Sequence, residues 1–584
     1  MKLKSFTFGF MFLFLFFISN VGFAVSGNLL ADSQQKEVIE FQSIILDSDR
    51  AIDDTISVNA VKNWTYIHYI SGETSSESFA IRIIDRLEKG GGSSADINVI
   101  ALLDRIAGYD TTNGDWTTAR IYEVTDEVQN NVIDSTLKVE LGEVNMGEPD
   151  TLEDYLDYCF TNYPANYYCL NLWGVGDAYF GCMWDGGYTP DDPHLSCHEL
   201  GSAIGQATSA HGEFLDIIVL DITYMSAFEM AYELRNYCDY YISTEDSTLD
   251  LDYEAIITEL NANPDMLPAE LCEIYIDTTS AYMSSTPYTC LSVLDQSQII
   301  PLKTSFDNFI GNVTHASDDL DNIYALYLAS KFNQRFDRTD CIDLYGFAKE
   351  ISKLFFYDFE VLFCAYMLMS ALDDYILYNY QHSSYGGKAH GLHIFLPLTN
   401  YVSIAPEVYA YINITSWFAG YDLLQQTQWN EFVDFHFAEY GYVGPSDPPI
   451  LDIVGTSITS SLVPNQVDTY KYSIITTGDY SLEASVLSGG ISFTIYSELE
   501  RKLVFNSTDL VTDLNHYEFV YASMTAGTYY VIVYNFGGAS EYTIYFSSGT
   551  PGVGYSSIVT FTLILSLLSI ISIYQVIIRR KKKN

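Results

Sequence analysis

Positive charge is what this chain has least of: 27 Lys and Arg stand against 76 Asp and Glu in 584 residues, for a formal charge of −49. The shortage is sharper away from the termini, because Lys2, Lys4 and the five cations Arg579 to Lys583 sit in the end segments. Without them 20 basic residues face 76 acidic ones, a net charge near −56. That balance argues against nucleic acid as a partner, since binding it takes clustered Lys and Arg that displace counterions. A field of this sign attracts cations and cationic peptides, and it equally keeps a protein soluble in an ion-rich medium. Cysteine is absent beyond Cys364, and the 9 cysteines from Cys159 onward are an odd number. Disulfides are permitted outside the cell, with at least one thiol left free or paired between chains. Asp47-Ser-Asp49 and Asp53-Asp54 lack the Gly and the closing Glu of a calcium loop, so they read as a solvated acidic stretch.

What is present divides the chain into several domains, as its length requires. Lys2 and Lys4, a Phe/Leu run to Ile18 and the small residues after Val21-Gly-Phe-Ala24 make residues 1–26 a secretory signal. Residues 27–60 are polar and weakly periodic, a linker or pro-segment. Ile558 to Ile578 gives 21 residues without charge, long enough to span ~30 Å of hydrocarbon as a helix. The basic tail at 579–584 then belongs on the cytoplasmic side. Pro551-Gly-Val-Gly before the run also fits a processed sorting signal. Either way the body is expected outside, at the cell surface, held by the membrane through its C-terminus. Asn63, Asn312, Asn413 and Asn506 lie in sequons compatible with that exterior.

From Trp64 to about Ala207, β-rich runs alternate with helical ones, the pattern of a parallel sheet flanked by helices. Asp150-Thr-Leu-Glu153 reads as a capping box opening a helix to about Asn162, and Glu199 to Gln206 as a further helix. Tyr167-Tyr-Cys-Leu-Asn-Leu-Trp173 and Leu215-Asp-Ile-Ile-Val-Leu-Asp221 read as buried strands. The carboxyl ends of such strands are where α/β sheets form their crevice. From Asp252 to Tyr380 the chain is expected to be mainly helical, with Val361 to Met369 a buried helix, before a strand at 391–397. Beyond Pro448-Pro449, alternation of period 2 at 468–474, 491–496, 528–534 and 542–546 predicts an all-β sandwich over 450–548.

The ordered segments resemble the clostripain-like cysteine peptidase family. Asn63 to Tyr69 is similar to its opening strand and Asn98 to Arg105 to its second, followed by Trp116 and Arg120. Gly142-Glu-Val-Asn-Met-Gly-Glu-Pro-Asp-Thr-Leu152 matches the segment leading to the next helix. Met225, Glu229, Tyr232, Glu233 and Leu234 resemble the helix behind the nucleophile, Ser243-Thr-Glu245 the strand after it, and Gly391-Leu-His-Ile-Phe-Leu-Pro397 a strand near the domain's end. The resemblance runs from Val61 to Tyr442 and implies a caspase-like α/β sheet flanked by helices over 61–445. Ala526 to Val533 resembles a pre-peptidase C-terminal domain.

In that family the first apolar run closes on Trp-Asp-His-Gly, whose His is the general base, and the second on Asp-Ala-Cys-Leu-Met, whose Cys is the nucleophile. Here the same places read Trp173-Gly-Val175-Gly and Asp221-Ile-Thr223-Tyr-Met225. Valine can neither take nor give a proton, and a threonine hydroxyl is a poor nucleophile without a base. Catalysis of the family's kind is therefore not expected from Val175 and Thr223. Asp221 matches the acid that helps the family's pocket accept Arg or Lys, and it also suits a structural hydrogen-bond partner. Cys182, past the Val175 position, is a rival nucleophile or a disulfide partner of Cys197. His194-Leu-Ser-Cys197-His198 lacks the further ligands of a metal site and reads as surface or helix cap. His393, where the family has Ser, reads as a core side chain. No cofactor is required and no metal site is assigned, although some relatives use calcium. The expectations are a peptide-binding pseudopeptidase, an active peptidase with an unorthodox nucleophile, or a structural or adhesive envelope protein.

Overall fold

The computed structural model describes residues 61–440, except 187–191, 248–250, 318–325, 327–328, 332, 356–357, 398–409 and 416–417, and beyond them the backbone of strands between 450 and 548. The expected signal, the 27–60 segment and the apolar run at 558–578 lie outside these residues. No described helix is long and apolar enough to cross a membrane.

A nine-stranded sheet organises the first unit. Its strands are β1 (Lys62–Gly72), β2 (Ile97–Arg105), β3 (Ala119–Glu123), β4 (Thr136–Gly142), β5 (Ala165–Trp173), β6 (Leu215–Asp221), β7 (Cys238–Ser243), β8 (Cys290–Asp295) and β10 (Ile376–Gln381); β9 (Cys341–Asp343) and β11 (His393–Phe395) form a separate pair. The helices used below are α1 (Glu77–Lys89), α2 (Pro149–Asn162), α3 (Cys197–His211), α4 (Phe228–Glu233), α5 (Tyr253–Ala262), α6 (Pro268–Tyr282), α7 (Ile299–Ala316), α8 (Leu344–Leu354) and α9 (Phe359–Tyr375).

Alternation within the strands sends side chains to both faces. Trp64, Tyr66, Val99, Leu103, Ile217 and Val219 pack with residues of α1, α5 and α6 on one side. Ile67, Tyr69, Ile100, Leu102, Leu170 and Leu220 pack with residues of α2, α3, α4, α7, α8 and α9 on the other. Because both faces are covered, the central strands are nearly continuous apolar runs, as the sequence showed.

The sheet order is β10-β8-β7-β6-β5-β1-β2-β3-β4. β1, β2, β5, β6 and β7 are parallel, whereas β3, β4, β8 and β10 pair antiparallel. The chain winds away from β1 through β2 on one side and through β5, β6 and β7 on the other. The β1/β5 junction is thus the switch point, where a crevice opens at the carboxyl ends.

Several local expectations change. The sheet is mixed rather than parallel, and the stretch expected to be mainly helical supplies β8 and β10, which are too short for periodicity to distinguish. α2 starts at Pro149 with Glu148 as its N-cap and no side-chain cap, so Asp150 is not the capping residue; proline suits the first turn because its missing N–H has no partner there. α3 is longer than Glu199–Gln206: Ser196 and Glu199 form a reciprocal capping box and Gly212 ends it in the left-handed region. α9 is buried on one face only, with Phe359, Phe363, Tyr366 and Met367 exposed. The 391–397 strand contracts to β11. All 9 cysteines carry free thiols, so Cys182 and Cys197 are not joined.

Between 450 and 548 the backbone forms a five-stranded and a four-stranded sheet. Strands at Val467–Ile474, Ile491–Ser497, Gly527–Asn535 and Ser540–Ser548 contain the four alternating runs, and further strands include Gly478–Ser488 and His516–Met524.

Candidate active site

Val175 and Thr223 fall just beyond the carboxyl ends of β5 and β6, which pair in register up to Trp173 opposite Asp221. Both are half-buried. The Thr223 hydroxyl donates to the Gly176 carbonyl at 3.4 Å, linking the two strand ends. Gly176 permits this closeness, since a Cβ there would stand 2.3 Å from Ile222 Cγ2 and 2.7 Å from the Thr223 carbonyl. The next residue, Tyr224, has φ +63°, a conformation uncommon for a bulky side chain. β11 holds this turn in place. His393 Nε2 lies 2.7 Å from the Tyr224 carbonyl and the His393 N–H donates to Ser226 at 2.9 Å. The Ser226 hydroxyl donates to the Gly391 carbonyl at 2.6 Å. Phe395 N–H and the Tyr411 hydroxyl donate to Glu229 at 3.1 and 2.7 Å.

His393 is fully buried, and burial lowers its ring to about 4. It is therefore neutral and occupied with the Tyr224 carbonyl, the core side chain the sequence suggested.

Cys182 lies in the loop after β5, but not on its rim. Its backbone pairs with Leu195 in both directions at 2.8 Å, the thiol is fully buried, and burial pushes it up, away from thiolate. The neighbouring Met183 N–H donates to the Val175 carbonyl at 2.8 Å.

The histidine cluster is not assembled. Cys197 faces inward toward the Ala178 and Tyr179 carbonyls, His194 stacks on Trp184 with centroids 4.3 Å apart, and His198 reaches Glu233 at 3.5 Å. His194 and His198 border an open cleft of about 630 Å³ with Glu148, Pro193 and Glu199.

Asp221 is buried at the end of β6. Its Oδ2 accepts the Tyr253 hydroxyl at 2.8 Å and the Leu251 N–H at 3.2 Å. The cavity beside it, bounded by Thr244, Ser247, Leu251 and Met283, measures about 10 Å³, roughly one water.

Two features escaped the sequence reading. Arg338 fastens the loop after β5 through ion pairs to Asp177 and Asp340. Glu73, Asp104, Glu143 and Asp185 gather at the same carboxyl edge, from four segments far apart in sequence. An acid directly after β1, β4 or within β2's end was the available signal, and only the strand order brings them together.

The Clostripain family profile matches residues 68–436. Clostripain of Hathewaya histolytica is 23% identical over 232 residues, which cover 36% of this chain and 42% of that protein. The chain thus matches less than half the length of this relative. Among solved structures, a secreted C11 cysteine protease from Bacteroides thetaiotaomicron, in complex with an irreversible peptide inhibitor, superposes with a TM-score of 0.45 at 16% identity, over 62% of this chain and 99% of that one. An inactive zymogen C11 protease from Parabacteroides distasonis gives 0.46 at 16% identity, over 62% and 99%.

Proposed function

The chain belongs to the Clostripain family, and from that premise we propose that it is a cell-surface member that binds peptides or proteins without hydrolysing them. The observation that carries this reading is the pair at the two strand ends. The Val175 side chain can neither take nor give a proton, and the Thr223 hydroxyl is spent on a backbone carbonyl rather than on a base. Acyl transfer needs a nucleophile activated by a base within about 3 Å. The burial of Cys182 and its raised thiol argue against it as a substitute.

In this reading residues 1–26 direct export, 558–578 anchor the chain, and the strands of 450–548 form a sandwich that carries the α/β unit away from the membrane. The surplus of acidic residues favours a basic peptide as ligand. An adhesive role is a second reading, favoured by the apolar stripe Phe359, Phe363, Tyr366 and Met367 along the outer face of α9.

The test is to assay the purified full-length chain on fluorogenic Arg and Lys peptides beside a Val175→His, Thr223→Cys double variant. Turnover by the parent that Thr223→Ala or Cys182→Ala abolishes would overturn the proposal. Binding without turnover in the parent, with cleavage only in the double variant, is the expected result.

A further inference from the structure

β11 holds the turn after Thr223, and two acids hold the segment that leads into β11. Glu245, two residues past β7, and Asp343, the last residue of β9, are both fully buried. Glu245 Oε2 accepts the Gly391 N–H at 2.7 Å, and the Gly391 carbonyl accepts the Ser226 hydroxyl at 2.6 Å. One chain of hydrogen bonds thus runs from Glu245 through Gly391 to Ser226, three residues beyond Thr223. Glycine is required at its centre: φ there is +112° and a Cβ would stand 2.9 Å from Ser292 Oγ.

The second oxygen of Glu245 makes a contact that an ionised side chain could not keep. Oε1 is buried and meets no N–H or hydroxyl; what it faces, within hydrogen-bond reach, is the Asp343 carboxyl. Two carboxylates in contact repel each other, so this arrangement holds only with a proton between them.

The donors decide which acid carries it. Asp343 caps α8, its Oδ1 accepting the Gly346 N–H, where the helix dipole favours an anion. The same oxygen lies 2.8 Å from His390 Nδ1, and Oδ2 accepts the His390 N–H at 2.8 Å. Three donors converge on Asp343 and one on Glu245, so the charge stays on Asp343 and the proton on Glu245.

The other groups around Glu245 favour the same state. Asp246 beside it, Tyr385 and the Cys290 thiol of β8 are titratable and bring no positive charge. Among the described residues no Lys or Arg forms an ion pair with either acid; His390 approaches Asp343, its ring stacked on Tyr345 with centroids 4.5 Å apart. Burial and the neighbouring Asp343 hold the Glu245 carboxyl well above the usual carboxylate range.

We propose that Glu245 is protonated at neutral pH and donates to Asp343, and that this proton latches β11 and the turn after Thr223, so that rising pH loosens the crevice. When the latch opens, water reaches Glu245, which then ionises as an ordinary glutamate does, near pH 4.3. Above about pH 4.5 the open form therefore binds fewer protons than the closed one. Opening becomes about tenfold easier per pH unit, until Glu245 ionises in the closed form too. The latch is independent of whether the crevice cleaves or only binds.

The test sets the full-length chain beside Glu245→Gln, whose amide donates to Asp343 and accepts from Gly391 at every pH. An infrared difference spectrum, parent minus variant at pH 7, should contain the C=O stretch of a protonated, buried carboxyl. Hydrogen exchange over 222–227 and 391–395, compared at each pH, should lose protection in the parent relative to the variant by about tenfold per unit between pH 6 and 8. If Glu245→Gln does not fold, the Gly391 amide of the parent carries the test: its protection, corrected for intrinsic exchange, should fall about tenfold per pH unit. A difference spectrum without a carboxyl band, parallel exchange profiles in parent and variant, or a flat profile at Gly391 overturns the latch.

Discussion

Tyr253 donates its phenol to Asp221 at 2.8 Å, so the acid that resembles the family's receptor for Arg or Lys is occupied by its own chain. With only about 10 Å³ beside it, a basic side chain can reach Asp221 only if Tyr253 moves. Tyr253→Phe should lower stability by about 1–3 kcal/mol, the penalty for leaving a buried acceptor short of a partner. It should also tighten binding of Arg and Lys peptides, a gain that Asp221→Asn removes. Urea denaturation reads the first effect and calorimetric titration the second; unchanged peptide affinity in Tyr253→Phe would leave Asp221 a purely structural role.

Arg338 is predicted to govern the loop after β5. Its guanidinium pairs with Asp177 and with Asp340, the latter at 2.8 Å, donates to the Tyr179 hydroxyl at 3.0 Å and lies 5.0 Å over that ring. Removing it strands two largely buried carboxylates. Arg338→Ala should therefore destabilise by about 3 kcal/mol, the low end of the range for broken buried pairs because some solvent reaches this one. Hydrogen exchange should speed up over 174–183 before the rest of the sheet. Arg338→Lys, which keeps the charge but loses the planar fork, should fall between.

The parts of this architecture that the sequence made legible are those that local chemistry determines. β1, β2, β5 and β6 stood out as apolar runs because both of their faces are covered. The strands of 450–548 stood out because alternation of period 2 survives without side-chain context. The edges of the same sheet were not legible: Leu291-Ser-Val-Leu294 is as apolar as a helix segment, and only pairing with β7 and β10 makes it a strand. Cys182 reads as a rival nucleophile from its place in the chain, whereas its burial follows from the pairing of its backbone with Leu195, across a loop. The approach of Asp185 to Glu73 depends wholly on tertiary topology, and no spacing rule encodes it.

Glycine packing at the crevice gives a prediction with an internal control. Gly176→Ala would press a methyl to 2.3 Å from Ile222 Cγ2 and 2.7 Å from the Thr223 carbonyl, where backbone cannot yield. A loss of about 1–3 kcal/mol is expected, as for other overpacked sites. Gly311→Ala, inside α7, meets only the Gln428 side chain at 3.5 Å and should stabilise by roughly 0.5–1 kcal/mol through helix propensity. Thermal melts of the two variants should therefore move in opposite directions.

The acid limb of stability is predicted to include His68. Its ring is buried in β1 between Tyr66 and Tyr253, at 5.0 and 4.9 Å. Neither nitrogen has a hydrogen-bond partner, and burial lowers the ring to about 3. The unfolded chain takes up that proton near pH 6.5, so between about 6.5 and 3 it binds more protons than the folded one. Stability from this group is thus fully present above pH 6.5 and is lost as pH falls toward 3. His393, lowered to about 4, and His436, lowered to about 3, act in the same sense. Carboxylates raised by burial act in the opposite sense, but they are common to parent and variant and cancel on subtraction. His68→Phe removes the titration while keeping a planar ring, so any steric penalty is a constant offset. The variant's stability relative to the parent should rise by up to about 3 kcal/mol between pH 7 and 4. Denaturant curves at intervals across that range read the slope, and parallel profiles would mean that His68 titrates alike in both states.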